Sequence, residues 1–307
     1  MRPVTLNDYK RRLLRVIEHI HENLDEPLPL ATLAGIAHLS PFHFHRVFTG
    51  MLGETVQGLV RRLRLERAAW QLRQPARPGI LDVALDAGYD SHEAFSRAFG
   101  RAFTVSPSRF RGDRARPPRL RAHSGVHYDP AGTPVGFRSR PVRPFAMKVT
   151  IKHLPSVLVA CVRHVGPYEN CGIAWEKICT LLGAEGYIGP GSQLIGISYD
   201  DPENTPPAEI RYDAAISVPD DFVAPAGVTL RRIAGGDYAV LTHQGPYNQV
   251  SRAYRHLMGE WLPRSGRELA DEPCFESYLN DPDNTPPAEL LTDVYLPLAP
   301  LPASAHA

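Results

Sequence analysis

Two stretches in the C-terminal half of the chain occur twice. His164-Val-Gly-Pro-Tyr168 returns as His243-Gln-Gly-Pro-Tyr247, 79 residues later. Asp201-Pro-Glu-Asn-Thr-Pro-Pro-Ala-Glu209 returns as Asp281-Pro-Asp-Asn-Thr-Pro-Pro-Ala-Glu289, 80 residues later, and Val149-Thr-Ile matches Val228-Thr-Leu. A near-constant offset over such different motifs marks a duplicated structural unit. Each copy reads as strand, strand, helix and further strands, with Gly and Pro setting the chain at strand ends. One copy is too small to bury its own apolar face. The pair is therefore expected to close a single core, as a pseudo-two-fold α+β sheet with helices packed on it.

The first third reads differently. From residue 5 to 111 apolar positions recur at three and four, as in Leu13, Leu14, Ile17, Ile20 and Leu24, which predicts helices. Thr5 or Asn7 is placed to cap the first helix, and Pro27 and Pro29 to stop it. Arg62 to Leu72 reads as a longer helix, ended by Pro75, Pro78 and Gly79. A shorter repeat lies within this region: Ala34, Ala37, Ser40, Arg46 and Phe48 return as Ala84, Ala87, Ser91, Arg97 and Phe99. In each copy a short apolar helix meets a turn, and a serine then caps a second helix. The second turn holds Gly88, whose backbone tolerates a left-handed conformation, where the first holds His38. Residues 113–145 lose apolar periodicity and gather prolines, which reads as an interdomain linker. The expected organisation is multidomain: an all-α tandem helix-turn-helix domain over 1–112, the linker over 113–145, and the duplicated domain over 146–300.

Charge separates the same halves. Of 34 Lys+Arg and 33 Asp+Glu, 20 and 12 fall in residues 1–121, leaving 14 and 21 for the rest. A basic half joined to an acidic half suggests that only the first meets a polyanion. No apolar run is long enough for a membrane span, and no apolar segment follows the basic residues near the N-terminus, so neither a span nor a signal peptide is read. The four cysteines form no CxxC pair, which points to a reduced, cytoplasmic protein without a disulfide or zinc framework. His43 and His45 lie two apart on a helix and do not face each other, so no metal site is expected there, and no cofactor motif is present.

Two serine-capped motifs in tandem, followed by Phe95-Ser-Arg-Ala-Phe99-Gly-Arg-Ala-Phe103-Thr-Val-Ser-Pro107-Ser-Arg-Phe-Arg111, resemble the DNA-binding domain of the AraC/XylS family over about residues 8–111. The resemblance implies two recognition helices, near 40–50 and 91–101, entering successive major-groove segments of double-stranded promoter DNA. By position, Pro41, Phe42, His45 and Arg46 of the first, and Ser91, His92, Glu93 and Ser96 of the second, are expected to face DNA. Arg46 suits a bidentate contact to guanine, and Glu93 suits acceptance from cytosine N4. Arg97 reads as a phosphate or internal ion-pair residue. Phe48, Phe95, Phe99 and Phe103 read as core.

In the acidic half the informative positions are those where the two copies disagree. Glu276 falls opposite Gly196, Tyr278 opposite Ser198, Phe275 opposite Ile195, and Tyr254 opposite Trp175, while Tyr168 and Tyr247 match. Strand alternation puts Glu276 and Tyr278 on one face. A carboxylate among aromatic rings suits a cationic or amphiphilic ligand, and an exposed strand-edge glutamate is the equally weighted alternative. The two Gly-Pro-Tyr turns, the two Asp-Pro…Pro-Pro-Ala-Glu stretches and Phe275-Glu-Ser-Tyr278 resemble the GyrI-like effector-binding domain over about residues 146–299. That resemblance implies a pocket between the two copies, with Glu276 recognising lipophilic, often cationic molecules. Tyr278, Trp175, Tyr168, Tyr247 and Phe275 are its expected neighbours. The expected function is a non-enzymatic, ligand-responsive transcriptional regulator with multidrug-type effector binding, and RNA polymerase is a partner if it activates. Two alternatives stand beside it: a small-molecule hydrolase using Glu276, and a protein-interaction module without ligand.

Overall fold

The computed structural model describes residues 5–301, apart from 77, 114, 140–146, 185, 190, 201, 203 and 204. Asp201, Glu203 and Asn204 of the repeated stretch therefore lie outside the described residues, as does the last part of the expected linker. Two compact units divide the chain, the first within Asn7–Arg140 and the second within Pro141–Ala307. Among the described residues no helix is long and apolar enough to cross a membrane.

The first unit is helical. Its elements are α1 (Leu6–Glu22), α2 (Leu30–Ala37), α3 (Pro41–Leu52), α4 (Val56–Gln71), α5 (Ile80–Asp86), α6 (His92–Phe103) and α7 (Pro107–Gly112). The periodic residues of α1 turn inward, with Leu13, Ile17 and Ile20 fully buried. Serine and threonine hydroxyls accept from the first-turn amides as expected of caps: Ser40 from His43 N–H, Ser91 from Ala94 N–H and Thr55 from Gly58 N–H. That last cap starts α4 six residues before Arg62. Gly58 in its first turn interrupts the apolar period that marks the rest. Phe95, Phe99, Phe103 and Phe110 form one buried cluster with Val83, Ala84, Leu65 and Ala69.

The two helix-turn-helix motifs close with the same backbone. Leu39 N–H donates to Ala34 O and Tyr89 N–H to Ala84 O, the six-to-one bond of a left-handed helix ending. Gly88 sits there at φ +78°, and His38 at φ +53°. A side chain in that region costs about 1 kcal/mol, whereas glycine enters it freely. His38→Gly is therefore expected to stabilise the helical unit by about 0.5–1 kcal/mol. The check is a higher urea midpoint at unchanged slope.

Beyond α7 the described residues as far as 139 form neither helix nor strand, yet they pack on α4. Glu66, fully buried, accepts from Leu120 N–H at 2.9 Å and Tyr128 N–H at 2.8 Å, and its carboxylate lies 3.0 Å from the His127 ring. Arg62 donates to Val126 O at 2.7 Å and pairs with Glu54 at 2.6 Å and Glu66 at 3.2 Å. The loss of periodicity marks the absence of regular structure here; it does not imply the absence of packing.

The second unit is an eight-stranded antiparallel sheet in the order β1-β6-β8-β7-β3-β4-β2-β5. The strands are β1 (Val149–Leu154), β2 (Val157–Val165), β3 (Leu194–Ser198), β4 (Arg211–Ser217), β5 (Thr229–Ile233), β6 (Gly236–Gln244), β7 (Phe275–Tyr278) and β8 (Leu291–Leu298). Helix α8 (Gly172–Gly183) belongs to the first copy. In the second, α9 (Ser251–Arg255), a π-helical segment (His256–Trp261) and α10 (Leu262–Ser265) follow one another. The duplication is visible in the order, because β3 and β7 meet at its centre and the remaining strands fall outward in matched pairs. The first strands are exchanged: β1 pairs with β6 of the second copy, and β5 with β2 of the first. Neither copy therefore has a complete sheet alone.

The repeated turns have a common construction. Gly166 at φ +141° and Gly245 at φ +135° turn the chain, and their amides donate to Ile210 O and Leu290 O. The His164 and His243 rings reach the carbonyls of Pro167 and Pro246 at 3.0 and 3.4 Å. The histidine, glycine and proline of the motif thus serve the turn that leads each β2-type strand into its helix.

Candidate functional site

Glu276 lies in β7 at the centre of the sheet, directly across from Gly196 in β3. It is 9% exposed. Three hydroxyls from three elements donate to its carboxylate. Tyr254 of α9 reaches Oε1 at 3.0 Å, Ser198 at the end of β3 reaches Oε1 at 3.4 Å, and Tyr278 of β7 reaches Oε2 at 2.9 Å. A second layer follows: the Tyr278 and Tyr212 hydroxyls are 2.9 Å apart, and Trp175 Nε1–H of α8 donates to the Tyr212 hydroxyl at 3.0 Å. The Trp175 ring meets Tyr278 edge-on at 5.6 Å, and Tyr247 meets the same ring at 5.2 Å.

Gly196 makes this crowding possible. A Cβ built there lies 2.4 Å from both the Tyr212 and Tyr278 hydroxyls. The first copy thus yields space at the position where the second carries its acid. The electrostatics follow from burial. The Tyr212 and Tyr278 phenols are held well above their ordinary range by desolvation, and then by the neighbouring Glu276 carboxylate. Both remain neutral donors at physiological pH. The same two causes raise the Cys171 thiol at the start of α8. Desolvation, Asp281 and then Glu276 raise the Tyr247 phenol at the rim.

Of the residues expected here, Glu276, Tyr278 and Trp175 come together. Tyr247 borders them and is 39% exposed. Tyr168 stands one ring further out, edge-on to Tyr212 at 5.9 Å, with its hydroxyl on Asp200 O at 2.6 Å. Phe275 does not belong. It stacks on Tyr295 at 4.5 Å with Tyr238 beside it, in the cluster on the opposite face of the sheet. Adjacent residues of a strand point to opposite faces, so Glu276 facing the site excludes Phe275 from it. Tyr212, Tyr254, Ser198 and Gly196 complete the arrangement. Each is also a position where the copies differ, Tyr212 standing opposite Thr292 at the 80-residue offset.

In the helical unit, α6 presents His92 and Glu93 to solvent, with Ser91 and Ser96 half-buried. The Glu93 carboxyl is lowered by bonds to its own backbone N–H and to the Ser91 hydroxyl, at the positive end of the helix. In α3, Pro41 is exposed and the Phe42 side chain lies outside the described residues. His45 and Arg46 do not project as expected, being 2% and 9% exposed. The His45 ring lies 3.2 Å from the Thr49 hydroxyl one turn on. Helical position sets the direction of Cα–Cβ, but a ring such as that of His45 can still lie back along its own helix.

Comparison with known proteins divides the chain at the same place. A helix-turn-helix domain family matches residues 33–113, and the GyrI-like small molecule binding domain family matches 147–299. The probable transcriptional regulator YgiV of Escherichia coli K12 is 36% identical over 163 residues, which is 50% of this chain and 97% of that protein. A DNA gyrase inhibitor of Yersinia enterocolitica is 34% identical over 136 residues, 43% of this chain and 85% of that protein. The transcriptional regulator Rob of Salmonella typhimurium is 39% identical over 89 residues, 29% of this chain and 30% of that protein.

Proposed function

The chain belongs to the AraC-type helix-turn-helix regulators that carry a GyrI-like small-molecule binding domain, and from this membership we propose that it senses a lipophilic cation at Glu276 and answers by changing its hold on promoter DNA. The convergence of Tyr254, Tyr278 and Ser198 on one carboxylate, walled by the rings of Trp175 and Tyr247, carries the reading. Hydroxyl donors offset part of the cost of burying a carboxylate charge, and ring faces attract a cation from which water has been stripped. On this reading the unit is a sensor rather than an enzyme. Coupling to DNA requires that the ligand bind the two DNA-affinity states unequally. If the response is activation, RNA polymerase is the second macromolecular partner.

Thermal-shift titration of the full chain against lipophilic cations and matched neutral compounds, read beside a promoter footprint, tests this. Cations at about a hundredfold over Kd are expected to stabilise the protein by about 2.7 kcal/mol and to alter the footprint. No stabilisation by any member of a broad panel would overturn the effector reading in favour of a protein-binding module. Consumption of the compound during the titration would favour the hydrolytic alternative.

On the DNA side, α6 carries the clearer proposal, because His92 and Glu93 stand free of the core. Glu93→Ala is expected to cost about tenfold in discrimination at one base pair while leaving non-specific affinity unchanged. Gel-shift competition with single-base operator variants measures it.

A further inference from the structure

The bonds around Glu276 form a path with a direction. An indole N–H can only donate, and a carboxylate can only accept. Trp175 therefore donates a hydrogen bond to the Tyr212 hydroxyl, which is left to donate its own O–H to Tyr278, and Tyr278 donates to Glu276 Oε2. The spacings are 3.0, 2.9 and 2.9 Å. Each link comes from a different element, α8, β4 and β7, and the path crosses from the first copy into the second. The other oxygen, Oε1, is reached directly by Tyr254 of α9, the residue that matches Trp175 in the repeat. The two copies thus send a helix residue to the same carboxylate, one directly and one through two tyrosines. Gly196 leaves the room in which both hydroxyls of the path sit.

We propose that Trp175 is a positioning residue for Glu276: its indole N–H, relayed through Tyr212 and Tyr278, orients the carboxylate and holds it ready for a cation. The inference rests on the ligand reading given above, but the path exists without any ligand. Aligned hydroxyl chains polarise one another, so each link strengthens the next. The groups facing Glu276 include Tyr254 from α9, Tyr278 beside it, Ser198 from β3, Tyr212 from β4, Cys171 at the start of α8, and the half-exposed Tyr247. Burial raises the Tyr212, Tyr278 and Tyr247 phenols and the Cys171 thiol, so these four stay neutral at physiological pH. Removing a donor from the path is then expected to make Glu276 easier to protonate.

Two measurements on the full chain test this. The first needs no ligand. The chain has three tryptophans, so the indole N–H signals are few and the Trp175 signal is identified by Trp175→Phe. Tyr278→Phe keeps the ring against Trp175 and leaves the Trp175–Tyr212 bond in place, but it cuts the path beyond. The Trp175 indole proton is expected to move upfield in that variant and in Glu276→Gln; a signal unmoved in both overturns the relay. The second measurement uses methyltriphenylphosphonium and its neutral counterpart, triphenylphosphine oxide. Tyr212→Phe, which keeps the rings of Trp175, Tyr247 and Tyr278 and removes only the hydroxyl that links Trp175 to Tyr278, is expected to weaken the cation about fivefold, to weaken the neutral compound by less, and to move the acid-side loss of cation binding to higher pH. Equal loss for both compounds, or an unmoved acid limb, reduces Trp175 to a wall of the site and overturns the proposal. If the wild-type chain binds neither compound, the ligand reading fails, and the indole measurement still decides the relay.

Discussion

Glu276→Gln is expected to lower affinity for a lipophilic cation by about tenfold to a hundredfold while leaving a neutral ligand of the same shape nearly unaffected. A hydrogen bond or contact involving a buried charge is worth about 1.5–3 kcal/mol, and that range sets the expected loss. Glutamine keeps the volume and one acceptor, so the rings of Trp175, Tyr247 and Tyr278 stay where they are. Its amide group adds two donors at a place where Tyr254, Tyr278 and Ser198 already donate, so one side of the arrangement loses its acceptor. Calorimetric titration with a cation and its neutral isostere separates the charge from the shape. A loss shared equally by both ligands would show that Glu276 supports the fold of the site and does not select charge.

Glu66→Ala is expected to destabilise the helical unit by about 3–5 kcal/mol, the range for breaking a buried ion pair from one side. The side chain is fully buried, and its loss takes the acceptor from two backbone amides, Leu120 and Tyr128. Arg62, whose charge is held by Glu54 and Glu66, keeps only the first. Urea unfolding followed by the helical circular-dichroism band gives the stability. Limited proteolysis reports the cause, because residues 113–139 lose their seat on α4 and are expected to be cut far faster than in the wild-type chain. Unchanged cleavage together with a large stability loss would assign Glu66 to the helix alone and not to the extended segment.

Much of the helical unit is written locally. Ser40, Thr55 and Ser91 start their helices through bonds to amides within four residues, so the starts of α3 and α6 were readable from residue types and spacing. The left-handed turn shared by His38 and Gly88 was readable only in the second copy, because histidine does not advertise such a backbone. The packing of residues 113–139 was not readable. Its anchors, Arg62 and Glu66, lie more than fifty residues from their partners Leu120, Val126, His127 and Tyr128, and no local period records such a contact.

The acidic half shows the same division. By itself the sequence determined that this half is one unit made of two copies, where the copies differ, and that Glu276 and Tyr278 share a strand face; duplication and strand alternation are properties of the linear order. Only the tertiary structure decided that β1 and β5 change places, that Phe275 points away, and that Tyr212, Tyr254 and Ser198 join Glu276. Those outcomes depend on which strands become neighbours and on whether Gly196 leaves room for two hydroxyls. Strand neighbours and shared space arise when distant segments close on one core, and nothing in the spacing of residues along the chain specifies them.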